Sequence, residues 1–444
     1  MAEVIPFCGI LYNQEKINDL SKVTTPPYDV ISDRQKDEFH DCHPNNVIRL
    51  ILGQSKKDDT DDDNYHTRAG KYLNEWIKEG ILVRDKEPAV YLNSTTFTVE
   101  GRTFERFGLI ARVRLEPFEK GIVLPHERTF SKIKSERLNL MKASHANFSP
   151  IFSLYSDDDN IMDIIRTHCE NNKLDASFTD SAGHGQKMWS ISDQKTLARI
   201  TDLMKEKTIF IADGHHRYET AIAYRDWLKQ TDPNFSDDHP ANYVMMYLSS
   251  IEDPGMVILP AHRILSGVDE TDLKKLASSC KPYFHIESFP FEKGGLEAAR
   301  DKWTAELKKN RMENSIGIFM KDDPCFYLLR LKQGVMKREF GKESELTDAL
   351  LELDVTVLTR LIFMELLGFD QARLDNEKLI SYSSREEEAV EAVSSGRFDV
   401  TFVLNGTRIE QVQRIAKEGR IMPRKSTYFY PKVITGQALN SLKR

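Results

Sequence analysis

Cysteine is scarce in this sequence, and long apolar runs are absent from it. The five cysteines among 444 residues are scattered and form no Cys-x-x-Cys pair. We therefore expect neither a disulfide framework nor a zinc site, and a reducing cytoplasm is the expected location. No stretch of about 18 apolar residues occurs, so no membrane-spanning segment is expected. The first residues do not combine a basic region with an apolar stretch, which predicts no signal peptide.

The common motifs of nucleotide and hydrolase chemistry are also missing. The chain has no Walker P-loop, no dinucleotide-binding glycine fingerprint, no HExxH, no GxSxG and no protein-kinase motif set. Its formal net charge is −7, whereas proteins that bind nucleic acid usually carry a basic excess. Any phosphate chemistry must therefore use another kind of site, and neither nucleic acid nor a membrane is an expected partner.

The run Ala212–Arg217, which reads ADGHHR, is the most informative feature that the sequence does contain. It follows Thr208–Ile211, a short β-branched and aromatic stretch typical of a buried strand. After it, side chains recur at helical spacing, at Tyr218, Ala221, Ile222, Arg225 and Leu228. The run is therefore predicted at a strand-to-helix turn. Gly214 lets the backbone bend there, and the N–H groups of the helix start favour an anion.

The side chains of this turn suit phosphate better than a metal ion. His215 and His216 are adjacent, so they diverge by about 100° on a helix start and do not easily share one metal. Arg217 can form a bidentate pair with phosphate. Asp213 can cap the helix, hold a histidine tautomer or bind magnesium. The alternative interpretation is a buried polar cluster that only closes the turn.

Three further polar clusters are candidates for the same site. Asp29 follows Tyr28 and two prolines, and it is either a turn or cap residue or a general base for a hydroxyl group. The triplet His126-Glu127-Arg128 combines an acid, a base and a cation, or forms a surface loop of salt bridges. The segment Arg424–Thr427 offers cations and hydroxyls to a phosphate. The alternative is a solvated basic segment that precedes an edge strand.

The apolar patterns predict a mixed α+β protein. Val90–Val99 and Arg102–Leu115 are typical of a hairpin around Glu100-Gly101. Val47–Leu52 and Val400–Leu404 are each predicted to be a strand, and a helix is predicted after the second of these. We expect a core over residues 1–265, an α+β subdomain over 266–345 and a C-terminal α/β region over 346–444 that contributes the segment from Arg424 to Lys432.

Several motifs together resemble one known family over nearly the whole chain. The matching segments, in order, are Pro26–Ser32, His43–Arg49, Leu124–Glu127, Ala212–Tyr218 and Met422–Lys432. Their pattern is similar to that of DUF1015, a domain family of unknown function related to kinases of free serine. The stretch Ser131–Arg137 departs from the proline-containing form usual in that family.

The resemblance implies a ParB/sulfiredoxin-like fold for the core and a kinase that converts free L-serine to O-phosphoserine. It implies that Gly214, His215, His216 and Arg217 hold the phosphates of a nucleotide donor, ATP or ADP. Asp29 matches by position the catalytic carboxylate of the relatives, which is a glutamate there. Activity need not be uniform among relatives, because a shared fold does not fix function.

The leading hypothesis is therefore a kinase that uses a nucleotide and Mg²⁺ to phosphorylate serine or a similar small hydroxyl metabolite. The predicted catalytic residues are Asp29 as the base, Glu127 as its alternate, and His216. The predicted substrate-binding residues are Tyr28, His126, Arg128, Lys425 and Ser426. Asp213 is the predicted magnesium ligand. A homodimer is compatible with the sequence. The alternative is a regulatory module that binds or hydrolyses a nucleotide, and a nuclease is disfavoured by the net charge.

Overall fold

A computed structural model describes residues 1–127, 131–292, 294–376 and 378–443, with only the backbone for residues 131–134. The chain forms two compact units. The first unit contains residues 1–125, 131–256 and 431–443, and the second contains His126, Glu127 and Val257–Tyr430. Both units combine helices with sheets, so the expected mixed α+β class is confirmed. None of the described helices has the length and apolar character needed to cross a membrane.

The first unit is built on one large sheet. Before residue 257 its strands are β1 (Val4–Ile5), β2 (Ile10–Tyr12), β3 (Leu82–Arg84), β4 (Val90–Val99), β5 (Arg102–Arg114), β6 (Val123–Leu124), β7 (Ala146–Asn147), β8 (Ile151–Tyr155), β9 (Ala176–Thr179), β10 (Gly185–Ile191), β11 (Ile209–Asp213) and β12 (Tyr243–Ser250). Within the described residues, the strand order of the large sheet is β6-β11-β8-β12-β5-β4-β10-β9, and β1 also pairs with β5. The predicted hairpin is confirmed as β4 and β5, which pair in antiparallel register from Tyr91 opposite Ile110 to Val99 opposite Arg102.

The first unit also contains α-helices, some of which pack on this sheet and others of which pack in a second core. They are α1 (Asp33–Cys42), α2 (Ile48–Ile51), α3 (Tyr65–Lys78), α4 (Ser131–Ser144), α5 (Ile161–Asn171), α6 (Gln194–Lys205) and α7 (His215–Thr231). The prediction of a strand over Val47–Leu52 is wrong, because this segment contains α2. A short apolar run does not by itself distinguish a strand from a buried helix. Here the side chain of Asn46 accepts a hydrogen bond from the N–H of Ile48 at 2.8 Å, which helps the helical turn to begin.

The predicted strand-to-helix turn is confirmed as the junction of β11 and α7. Strand β11 lies between β6 and β8, and Ile209 and Ile211 are fully buried in the main core of the unit. Helix α7 contributes Tyr218 and Ala221 to that same core. Burial on both sides of Asp213 therefore fixes the turn in place, and the turn lies at the end of the strand next to the sheet edge formed by β6.

The second unit has its own sheet and its own core. Its strands are β13 (Val257–Leu259), β14 (His262–Leu265), β15 (Phe284–Pro290), β16 (Ser315–Met320), β17 (Cys325–Leu331), β18 (Ile380–Ser383), β19 (Val400–Leu404) and β20 (Tyr428–Tyr430). Its helices are α8 (Glu270–Cys280), α9 (Leu296–Lys309), α10 (Val335–Phe340), α11 (Asp348–Leu351), α12 (Asp354–Thr356), a π-helical segment (Val357–Leu366), α13 (Gln371–Leu374), α14 (Glu386–Ser394) and α15 (Ile409–Lys417). Strand β19 and helix α15 confirm the prediction for that region. The division at residues 265 and 345 stays a prediction.

The C-terminal segment returns to the first unit after Tyr430. Its last strand, β21 (Asn440–Ser441), pairs antiparallel with β7. Before it, Thr435 bridges to Thr25 and Leu439 bridges to Ile10. The segment is therefore held at three points along its length, and this fixes the path of the chain from Pro431 onward.

Candidate functional site

The backbone at the end of β11 depends on a glycine. Gly214 has a φ of 98°, in the left-handed region that favours glycine, and α7 begins at the next residue. A Cβ atom added to Gly214 would lie 2.8 Å from Nε of Arg217. The guanidinium of Arg217 therefore packs over the glycine at the start of the helix, and a larger residue would not leave it that room.

Asp213 lies between two cationic side chains. Its Oδ2 accepts a hydrogen bond from Nη2 of Arg217 at 2.6 Å, and its Oδ1 accepts one from Nζ of Lys432. Burial by itself would raise the pKa of the Asp213 carboxyl, but the charges of Lys432 and Arg217 outweigh burial and hold this pKa well below its ordinary value. The carboxylate is therefore ionised at neutral pH and acts as the counter-ion that fixes both cations.

This charge arrangement predicts a contribution to stability that acid removes. Because the folded-state pKa of Asp213 is lowered, the stabilisation is present above the unfolded-state pKa of about 3.9 and is lost as the pH falls toward the folded-state value. Asp213→Asn leaves two cations without their counter-ion, so we expect it to lower the free energy of unfolding by about 3 kcal/mol at neutral pH. Urea denaturation across pH should show this difference from wild type shrinking below about pH 4. A difference that does not change with pH would contradict the assignment.

Neighbouring carbonyl groups position the two cations. Nη1 of Arg217 donates to the carbonyl of Pro150, which precedes β8, and β8 runs beside β11 with Phe152 opposite Asp213. Nη2 of the fully buried Arg106 donates to the carbonyl of Pro431 at 2.8 Å. Since Pro431 directly precedes Lys432, this bond fixes the backbone from which the lysine reaches Asp213.

A small cleft of about 60 Å³ lies against this turn and is lined in part by Arg217. Tyr28 and Arg137 also line it, and the guanidinium carbon of Arg137 lies 4.2 Å from the centre of the Tyr28 ring. Nη1 of Arg137 donates to the carbonyl of Ile51 at 2.8 Å. The cleft thus offers two guanidinium groups and an aromatic ring to a ligand.

Three buried polar atoms of the cleft-lining residues have no hydrogen-bond partner within the described chain. They are Nε of Arg137, Nε of Arg217 and Oγ1 of Thr220. Arg137 is 7% exposed and Thr220 is 1% exposed. A buried polar group without a partner costs about 1–3 kcal/mol, so three such atoms around one cleft point to a ligand that supplies acceptors. Phosphate and carboxylate oxygens match two guanidinium N–H groups and a hydroxyl.

The segment after the double proline contributes Tyr28 to the same cleft. Tyr28–Val30 forms a 3₁₀ turn in which Tyr28 is half-buried and Asp29 is exposed. Burial raises the pKa of Tyr28 to about 12, against the opposing charge of Arg217, and the charges of Asp29 and Asp213 also raise it. The structure thus brings Tyr28 into electrostatic contact with the turn. The role of Asp29 as a base stays a prediction.

The two histidines begin α7, where His215 is buried and His216 is half-buried. The charge of His215 helps to lower the pKa of Asp213, after the larger effects of Lys432 and Arg217. Among the described residues there is no group of three His, Cys, Asp or Glu side chains that could hold a metal. Since both oxygens of Asp213 are bonded to cations, its surroundings do not fit a resident magnesium ion. The phosphate and catalytic roles of His215 and His216 stay predictions.

The second unit brings together a different group of the predicted residues. Nε2 of His126 lies 2.9 Å from Oγ1 of Thr427, and the backbone N–H of Ser426 donates to Oε1 of Glu127 at 3.2 Å. The hydroxyl of Ser426 donates to the carbonyl of Pro423. Glu127 and Ser426 therefore hold a turn together here, and their roles in catalysis and substrate binding stay predictions.

Lys425 lies in this same turn with an exposed side chain and a φ of 56°. Its carbonyl accepts a hydrogen bond from Nη2 of the buried Arg263 at 2.9 Å. Arg128 lies outside the described residues, so its predicted role has no structural account. The predicted residues thus fall into two groups, with Tyr28 and the 213–217 turn in the first unit and residues 126–127 and 425–426 in the second.

Sequence reasoning missed three residues of the first unit that the geometry singles out. Lys432 ends the Met422–Lys432 motif, but the neighbouring hydroxyls favour Lys425 as the phosphate or substrate ligand. Thr220 lies three residues after Arg217, a helical spacing that puts both on one face of α7 and that could have identified it. Arg137 is one basic residue in a basic segment, and no signal in the sequence distinguishes it.

Comparisons with known proteins identify remote similarities. A family model described as "Protein of unknown function (DUF1015)" matches residues 4–356. No curated protein matches the chain. A conserved hypothetical protein from Pyrococcus furiosus is a similar solved structure, with 12% identity, a TM-score of 0.34 and coverage of 72% of this chain and 89% of that one.

Two further solved structures are similar to the chain at the same level. One is described as a free serine kinase in complex with AMP, with 11% identity, a TM-score of 0.34 and coverage of 72% of this chain and 86% of that one. The other is SbnI with a C-terminal truncation from Staphylococcus aureus, with 9% identity, a TM-score of 0.34 and coverage of 74% and 86%.

Proposed function

The chain belongs to the DUF1015 family of proteins of unknown function, and on that premise we propose that it is a nucleotide-dependent kinase for a small hydroxyl amino acid. Free L-serine is the first substrate to test, with ATP or ADP as the phosphoryl donor. The family predicted from the sequence motifs is confirmed by the match over residues 4–356. The activity itself is a proposal that rests on the site of the first unit.

One observation carries the proposal. Nε of Arg137, Nε of Arg217 and Oγ1 of Thr220 are buried without partners, and all three residues line one cleft; Arg217 lies in the first turn of a 17-residue helix. Donors of this kind at a helix N-terminus suit the charged oxygens of a nucleotide phosphate. Phosphoryl transfer needs positioning and charge stabilisation more than covalent help, and the cleft offers both.

In the proposed reaction, the hydroxyl oxygen of serine attacks the terminal phosphorus of the nucleotide. A new P–O bond forms, the bond to the leaving nucleoside phosphate breaks, and the hydroxyl proton passes to the carboxylate of Asp29. Arg217 would stabilise the charge on the transferred group, while Asp213 and Lys432 hold Arg217 and the turn in position. Magnesium would enter with the nucleotide phosphates and water, since Asp213 is already bonded to two cations.

The role of Asp29 gives a direct test. Purified protein with Mg²⁺, L-serine and either ATP or ADP should form O-phosphoserine, detected by mass spectrometry. Asp29→Asn should lower kcat by about a hundredfold or more while leaving nucleotide affinity near that of wild type, because it removes a proton acceptor and no phosphate contact. Asp37→Asn is the matched control, since Asp37 is an exposed carboxylate on nearby α1.

Two outcomes would count against this proposal. No phosphorylated product with either nucleotide, across serine and related hydroxyl amino acids, would contradict the kinase activity. Equal kcat for the Asp29→Asn and Asp37→Asn variants would leave the activity standing but contradict the role of Asp29. Nucleotide binding with no effect of serine would instead support the alternative of a nucleotide-binding regulatory module.

A further inference from the structure

A second cavity in the first unit has no part in the proposed kinase site. It has a volume of about 270 Å³, and its lining includes Tyr12, Asp85, Asp175, Phe178 and Gln437. None of its lining residues lines the cleft beside Arg217. The C-terminal segment that carries Lys432 also carries Gln437, and the bridge of Leu439 to Ile10 fixes this segment beside β2. The cavity is therefore a built feature of the folded unit.

Several donor groups of this cavity are already used within the protein. The hydroxyl of Tyr12 donates to the carbonyl of Asn45 at 2.8 Å, and Oγ1 of Thr24 donates to the carbonyl of Leu20 at 2.9 Å. Nε2 of Gln14 donates to the carbonyl of Asp175 at 3.0 Å. No Lys, Arg or His side chain is among the lining residues. The cavity has therefore little to offer an anion.

The acceptor groups, in contrast, remain available. Oδ2 of Asp85 accepts from the hydroxyl of Tyr91 at 2.6 Å, and Oδ2 of Asp175 accepts from the N–H of Ser190 at 2.6 Å. These bonds orient each carboxylate and leave its other oxygen to a ligand. Neither carboxylate forms an ion pair with another described residue.

Gln437 provides an observation that is independent of the two carboxylates. It is 6% exposed, and its Nε2 donates to Oε1 of Gln186 at 3.2 Å, which fixes the orientation of the amide. Its Oε1 has no hydrogen-bond partner within the described chain. A buried amide oxygen without a donor is uncommon in folded proteins, and this one belongs to a residue that lines the cavity.

We propose that this cavity binds a small organic ammonium compound, such as an aliphatic diamine. An ammonium group supplies three donors and a positive charge, which match the free carboxylate oxygens and the amide oxygen of Gln437. The rings of Tyr12 and Phe178 border the cavity and suit the aliphatic part of the ligand or contact its cationic group. This proposal does not depend on the kinase activity.

Isothermal titration calorimetry of the full chain with putrescine tests the proposal, and the uncharged diol of the same length is the ligand control. Putrescine should bind to wild type and the diol should not. Asp175→Asn should weaken putrescine binding by about tenfold, since a hydrogen bond to a charged group is lost. Asp163→Asn removes an exposed carboxylate of α5 outside the cavity and should leave the affinity unchanged.

The variants chosen for this experiment keep the result interpretable. Asp175 is exposed, so its replacement by asparagine should not unfold the protein, and circular dichroism checks that. The proposal is overturned if putrescine does not bind to wild type or if the diol binds with similar affinity. It is also overturned if Asp175→Asn retains the wild-type affinity for putrescine, as the Asp163→Asn control should. Nucleotide affinity is measured in the same samples, so failure here is distinguishable from failure of the proposed kinase site.

Discussion

The Arg217→Lys variant should lose turnover by about a hundredfold to a thousandfold, the range found when one transition-state donor is removed. Lysine keeps the positive charge but not the planar fork of donors. Arg217 uses both arms of that fork, because Nη2 bonds to Asp213 and Nη1 bonds to the carbonyl of Pro150, while its Nε is buried without a partner within the described chain. A single ammonium group cannot reach all three directions at once.

The same substitution eight residues along α7 provides the control for this experiment. Arg225 is also half-buried, and it bonds to Asp226 at 3.0 Å and to the carbonyl of Leu115 at 3.0 Å. It does not line the cleft. Arg225→Lys should therefore keep wild-type turnover, with any cost appearing in the free energy of unfolding.

Steady-state kinetics with serine and nucleotide, together with calorimetric binding of ADP, would measure the two arginine variants. We expect Arg217→Lys to weaken ADP binding as well as to lower kcat, because the ground-state phosphates use the same donors. If Arg217→Lys retained turnover within a factor of about two of the Arg225→Lys control, Arg217 could not be the phosphate ligand that the proposal requires.

The strand-to-helix turn could be predicted because its determinants are local. A buried strand, a glycine with φ of 98° and an amphipathic helix occupy consecutive residues, so periodicity and turn chemistry suffice to place Asp213, Gly214 and Arg217. The hairpin of β4 and β5 was predictable for the same reason. The segment Val47–Leu52 was not, since its apolar residues suit a buried strand and a buried helix equally.

The partners of the turn could not be predicted because they depend on contacts between distant parts of the chain. Lys432 reaches Asp213 across 219 positions of sequence, and its path is fixed by the bond from Arg106 to Pro431 and by the bridge from Thr435 to Thr25. No local pattern encodes those pairings. The role of Asp213 as a counter-ion follows only once both cations are in place, and its role as a magnesium ligand stays a prediction.

Gly214→Ala should destabilise the first unit strongly, because it combines backbone strain with loss of room for a charged group. Alanine in the left-handed region costs about 1 kcal/mol relative to glycine. In addition, the new Cβ would lie 2.8 Å from Nε of Arg217 and must displace the guanidinium. Loosening that partner of the buried Asp213 carboxylate raises the expected total loss to about 3–5 kcal/mol.

Gly183→Ala separates these two contributions. Gly183 has a φ of 83°, close to that of Gly214, but an added Cβ would meet nothing within 4 Å. It should therefore lose only the backbone cost of about 1 kcal/mol in urea denaturation and should bind ADP as wild type does. Gly214→Ala should lose more stability than this control, and its ADP affinity should fall as well.

A double-mutant cycle with Arg217→Ala decides whether the guanidinium is the cause. Without the guanidinium, the alanine at position 214 has nothing to displace, so its cost should shrink to that of the Gly183→Ala control. The coupling energy between positions 214 and 217 should then be at least about 1 kcal/mol, above the scatter of independent sites. Additive losses in the cycle would show that strain alone explains the glycine. In that case Gly214 would be required by the backbone and not by the position of Arg217, and the turn would lose one of the two reasons for considering it a phosphate site.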